Sequence, residues 1–147
     1  MRRALLLVLL TILFLTACGG GGGKRMTKGE YASKADAICA KGNQQTSALR
    51  NPSNLSELAD VADKTIPILD KAIGDLRKLR PPANEQDTVD QWLDEVEKLK
   101  DDLREIRDKA KDKDLQGIQT VAATAQEHNA RSNELATQLG MKVCNRD

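Results

Sequence analysis

From Thr27 onward apolar residues recur at spacings of three and four, and no stretch alternates apolar with polar, so the pattern predicts helices throughout and no strands. Thr27 with Glu30 three residues later forms a capping-box signature, and Tyr31, Ala35, Ile38, Gly42, Gln45 and Leu49 share one face of the helix it opens. That stripe is thin, because Gly42 and Gln45 interrupt it. Asn51-Pro52-Ser53 breaks the chain, and Asn54 with Glu57 supplies the next cap. The second helix carries the strongest stripe: Leu55, Leu58, Ala62, Thr65, Leu69, Ala72, Leu76 and Leu79, widened by Ile66 and Ile73. Pro67 falls inside it, removing a backbone donor, and a kink near Asp63 to Ile66 is expected. Pro81-Pro82 stops the helix.

A third helix is expected from about Ala83 to Asp112, with Val89, Trp92, Val96, Leu99, Leu103, Ile106 and Ala110 on one face. The charged stretch Asp108 to Asp114 holds the turn into a fourth, from about Leu115 to Leu139. There Ile118, Ala122, Ala125, Asn129, Ser132, Ala136 and Leu139 form one seam, flanked by Val121, His128 and Leu135. Gly140 is placed to end it in a left-handed conformation. Four helices of similar length with short connections predict an all-α, antiparallel up-down-up-down four-helix bundle over residues 27–147.

The first 26 residues read differently. Met1-Arg2-Arg3 is a basic start, and Ala4 to Leu15 is apolar apart from Thr11, a run of 12 residues. As a helix that run spans about 18 Å, too short for a hydrocarbon core of about 30 Å, so it reads as a secretory signal. Leu15-Thr16-Ala17-Cys18 resembles the lipobox of bacterial lipoproteins. The resemblance implies a signal peptide over 1–17, cleaved ahead of Cys18, whose sulfur carries a diacylglycerol. Two or three acyl chains give stable anchoring where one is marginal. Gly19 to Gly23, Lys24 and Arg25 then form a flexible tether ending near Met26. Its nine residues have an r.m.s. span of about 17 Å, which holds the folded part close to the lipid headgroups.

With Cys18 lipidated, Cys39 and Cys144 remain as an even pair. A disulfide is the expectation, and free thiols or ligands are the alternative; one histidine in the chain makes ligation the weaker choice. The topology sets a geometric condition. The fourth helix should finish near the start of the first, whereas Cys39 lies about 18 Å up that helix. The tail after Gly140 should therefore fold back along the first helix, or that helix should be met below its cap. Tyr31, Ala35-Asp36-Ala37-Ile38-Cys39, Leu79-Arg80-Pro81-Pro82, Trp92 and Leu139-Gly140 ahead of Cys144 look like a family of small uncharacterised lipoproteins and secreted proteins from actinobacteria. The resemblance implies a disulfide-clamped helical bundle and brings no activity with it.

Charge narrows the partners. The chain has 23 basic and 22 acidic side chains, and losing Arg2 and Arg3 with the signal leaves 21 against 22, which argues against a nucleic-acid surface. Arg77-Lys78-Leu79-Arg80 sits at a helix end, where the dipole favours cations. No catalytic residue is assigned. His128 is the single histidine, beside Asn129 and Ser132, and reads as part of a polar layer. Ala125 stands where a di-metal motif needs Glu, and Ala123 stands where the calcium-loop look-alike starting at Asp112 needs its final Glu, so no metal and no cofactor are expected. Once Phe14 leaves with the signal, Tyr31 and Trp92 are the remaining aromatics, too few for a stacking platform.

The expectation is a non-catalytic cell-envelope protein on the outer face of the cell membrane, held by its lipid and contacting another envelope protein. The alternative is a bundle that binds a small ligand at the membrane surface. Gly42, Gln45, Asn129 and Ser132 bear on that choice, since they mark either a small polar cavity, a docking seam or a loosely packed helix pair. An apolar cavity of a few hundred cubic ångströms would favour ligand binding, and a solid Leu/Ala interior would end it.

Overall fold

Thr27 opens α1 (Lys28–Ser47) with both halves of the expected capping box: Glu30 N–H donates to the Thr27 hydroxyl at 3.3 Å, and Thr27 N–H donates to the Glu30 carboxylate at 2.8 Å. The computed structural model describes residues 24–145, which places the 1–17 segment, Cys18 and Gly19 to Gly23 outside the described residues. Asn54 accepts Glu57 N–H at 2.9 Å and starts α2 (Leu55–Leu76), which passes Pro67 without interruption. The helix stops three residues earlier than its stripe suggests. Leu79 lies in a tightened turn, its N–H on the Leu76 carbonyl, because Pro81 disfavours helical backbone at Arg80. A short 3₁₀ turn, Ala83–Glu85, leads into α3 (Gln86–Lys111), and Asp114 caps α4 (Leu115–Gln138) by accepting Gly117 N–H at 2.8 Å.

These four helices form an all-α antiparallel bundle in which α3 packs along both α2 and α4, while α1 leans chiefly on α2. The register of α2 against α3 shows in three rungs of charge at seven-residue steps. Asp63 meets Arg107 and Lys111, Asp70 meets Lys100 and Arg104, and Arg77 meets Glu97. Hydrogen bonds from Lys111 and Lys100 hold the Asp63 and Asp70 carboxyls below their usual range. All eight charged ends are solvent-reachable, so the rungs set register more than they add stability.

The core concentrates at the end where Met26 N–H donates to the Arg80 carbonyl. Leu76, Val89, Trp92 and Leu93 of α2 and α3 meet Leu135, Ala136 and Leu139 of the fourth helix and its cap. Against them α1 buries Tyr31, Ala32 and Ala35 of its first turns, with the half-buried Ile38 and Cys39 packed beside them. A large side chain fully buried in this way stabilises by about 1.5–3 kcal/mol. Arg25, at the end of the Gly-rich segment, donates to the Pro81 carbonyl and to Gln86 Oε1, both at 3.0 Å, so the chain is already held to the α2–α3 turn before α1 begins.

The Tyr31 hydroxyl is buried with no hydrogen-bond partner, and burial, with the nearby Asp90 charge, pushes its pKa up to about 12. A raised phenol pKa means that the folded state favours the protonated form. Stability is therefore whole below the unfolded value of about 10 and is lost from pH 10 toward 12, at about 1.4 kcal/mol per pH unit. Tyr31→Phe should abolish that alkaline loss and match or exceed wild-type stability at pH 7, since it removes an unmatched polar group. Urea midpoints measured from pH 8 to 12 for both proteins decide the matter, and parallel curves would refute it.

Two helices end in the same hydrogen-bond pattern with different residues at the critical position. After α4, Gly140 (φ 81°) is left-handed as expected, Met141 N–H reaches the Ala136 carbonyl, and Gly140 N–H reaches that of Thr137. After α3, Lys113 (φ 60°) takes that role, with Asp114 N–H on the Lys109 carbonyl and Lys113 N–H on that of Ala110. A side chain in this conformation costs about 1–2 kcal/mol relative to glycine. Lys113→Gly should thus raise stability by roughly 1 kcal/mol and Gly140→Ala should lower it comparably. Thermal melts that move both variants in one direction would contradict this.

Beyond Gly140 the chain turns back up α1, which satisfies the geometric condition set by the cysteines. Met141 is buried in the core, and the N–H groups of Lys142, Val143 and Cys144 all donate to the Asp36 carboxylate at 2.8 to 3.1 Å. Cys144 then forms a disulfide with Cys39, with their Cα atoms 5.4 Å apart.

Candidate functional site

Beyond Cys39, α1 runs out of side chains able to fill a bundle. Lys41, Asn43, Gln44 and Gln45 are exposed, and the inward-turned positions are Gly42 and Thr46, both half-buried. The helices opposite are built as though α1 continued to pack. Leu69 and Ala72 of α2 and Val96 and Leu99 of α3 lie on their core stripes yet are only half-buried. Between these surfaces lies a cleft of about 250 Å³.

Burial divides its lining into parts. Ile73, Leu76, Trp92 and Ser132 are buried and form the floor. The half-buried Asn129 and Asn133 of α4, with Thr46 and the exposed Asn43 of α1, mark the mouth. Cys39, Val143 and Cys144 form one wall, so the disulfide that fastens the tail also bounds the cleft. Gly42 keeps it open: a Cβ added there would meet no atom within 4 Å. Depressions of about 290 Å³ beside Arg50 and Glu57, and about 310 Å³ beside Lys111 and Lys113, are no smaller but carry exposed charged side chains at their rims, Arg50, Asp60 and Lys64 in one and Asp60, Lys111 and Lys113 in the other.

Trp92 is 1% exposed, and its indole Nε1 has no hydrogen-bond partner. A buried donor left unmatched carries its desolvation penalty in full.

The residues singled out by sequence separate cleanly. Gly42, Asn129 and Ser132 come together in the cleft, whereas Gln45 is exposed and lies outside it. His128 is half-buried and meets α3 rather than a layer on its own helix, with Nδ1 2.7 Å from Asp102 Oδ2. Asp114 is the N-cap of α4 and Gly117 follows it in the first turn, which accounts for the calcium-loop look-alike. Arg77 pairs with Glu97 and Lys78 with Asp75, so two of that cluster's three basic side chains are in ion pairs. Among the described residues no three His, Cys, Asp or Glu side chains are grouped to hold a metal ion, and no helix is long and apolar enough to cross a membrane.

Sequence reasoning missed two features. Asp36, as anchor of the tail, carried one signal: it lies one turn before Cys39 on the same face. Trp92 as floor of a cleft carried none, because its heptad position reads as ordinary core. The chain matches no family profile, no curated protein and no solved structure.

Proposed function

We propose that this protein is a lipid-anchored, non-catalytic bundle on the outer face of the cell membrane that binds a small ligand in its interhelical cleft. The cleft is the observation that carries the reading: an interior expected to be solid in a plain structural bundle is open by about 250 Å³ over an apolar floor. Leu15-Thr16-Ala17-Cys18 and the five glycines after it support the anchor through Cys18. A non-catalytic role is supported by the lining, which among the described residues presents no acid, no base and no free thiol, and by the engagement of His128 with Asp102 away from it. The protein-interaction reading rests on composition and address alone, so the cleft moves the weight to ligand binding.

Gly42→Leu tests this with opposite signs in two measurements. Leucine replaces a helix-interior glycine without meeting a neighbour at Cβ, so unliganded stability should rise by about 1 kcal/mol. Its side chain fills the cleft, so ligand should be lost. Native mass spectrometry of protein extracted from its own membrane should show a chain beginning at an acylated Cys18 with a small non-covalent adduct, absent from Gly42→Leu. An unmodified Cys18 would overturn the anchor, and identical adduct-free spectra for both proteins would overturn the binding role.

A further inference from the structure

The cleft's walls also restrict what can occupy it, a step that rests on the cleft being a binding site. Charged residues make up 31% of the chain, yet among the described residues no Asp, Glu, Lys, Arg or His lines this space. A charged ligand would give up water there and meet no counter-ion. The polar side chains that line it, Asn43, Thr46, Asn129, Ser132 and Asn133, are hydroxyls and amides, which suit an uncharged polar end. Size follows by comparison: an apolar cavity of about 150 Å³ takes benzene, so one of this volume takes about ten non-hydrogen atoms.

We propose that the cleft binds a small uncharged amphiphile of about ten non-hydrogen atoms. Its hydroxyl or carbonyl end lies among the hydroxyl and amide side chains at the mouth, and its apolar body lies against Leu69, Ala72, Val96 and Leu99.

Trp92 is the single tryptophan, so its emission reports on the site. The full chain in phosphatidylcholine vesicles is titrated with 1-octanol and, separately, octanoate at neutral pH, with free probe measured to remove partition into lipid. Saturable change with 1-octanol is expected, with octanoate at least about tenfold weaker because its carboxylate would be buried unpaired. Gly42→Leu should abolish the response.

Octanoate binding as tightly as 1-octanol would overturn the uncharged class and leave the cleft standing as a site. No saturable response to either probe, or full binding by a folded Gly42→Leu, would overturn the class and the site together. Should Gly42→Leu fail to fold, Gly42→Ala, which meets open space, replaces it and should weaken binding severalfold.

Discussion

Replacing Cys39 and Cys144 together by serine should destabilise the bundle by about 4.7 kcal/mol, the chain-entropy value for closing a loop of roughly 100 residues. The bridge joins positions 105 residues apart, so it constrains nearly the whole bundle when unfolded. For a domain of this size the melting temperature should fall by roughly 20 °C. The native tail should largely stay in place, because Asp36 still accepts three successive N–H groups and Met141 remains in the core. The loss therefore belongs mainly to the unfolded chain. Denaturant unfolding of the oxidised protein and the serine pair measures it, and a difference under about 1 kcal/mol would contradict the entropic account. Adding Asp36→Ala should then free residues 141–145, seen as loss of their amide protection, which the serine pair alone retains.

Trp92→Ala should cost about 3 kcal/mol, the lower end of the range for truncating a large aromatic residue. Trp92 is among the largest fully buried side chains and belongs to the main core cluster, which argues for a high cost. It also lines the cleft, so part of its surface already faces space without partner atoms, which lowers the dispersion lost. Leu139→Ala makes the comparison, since Leu139 is 1% exposed in the same cluster and away from the cleft. Its cost per buried carbon should be the larger. Urea unfolding that showed Trp92→Ala below about 1 kcal/mol would remove the indole from the core altogether.

Local signals located the helices well because each end is decided by nearby chemistry. Thr27, Asn54 and Gly140 act where their types predict, and Pro81 stops α2 from a short distance. Lys113 escaped notice because only its φ, and nothing in its side chain, marks it as the terminator of α3. Periodicity assigned Leu69, Ala72, Val96 and Leu99 to the interior correctly as a direction. It could not report that nothing would meet them, since that depends on how far a different helix stays apolar. Gly42, Asn129 and Ser132 were visible as gaps in separate stripes, and only folding showed that the three gaps coincide. Asp36 binding the tail is a contact across more than 100 residues, and spacing rules do not reach that far.

The three rungs between α2 and α3 do not share one polarity. Two put an acid on α2 and bases on α3, and the third reverses, with Arg77 facing Glu97. Sliding α3 by seven residues one way would set Arg77 against Lys100 and Arg104; sliding it the other way would set Asp70 against Glu97. Since heptad stripes alone look nearly alike after such a slip, the reversed rung acts as a key that fits the pair of helices in a single alignment.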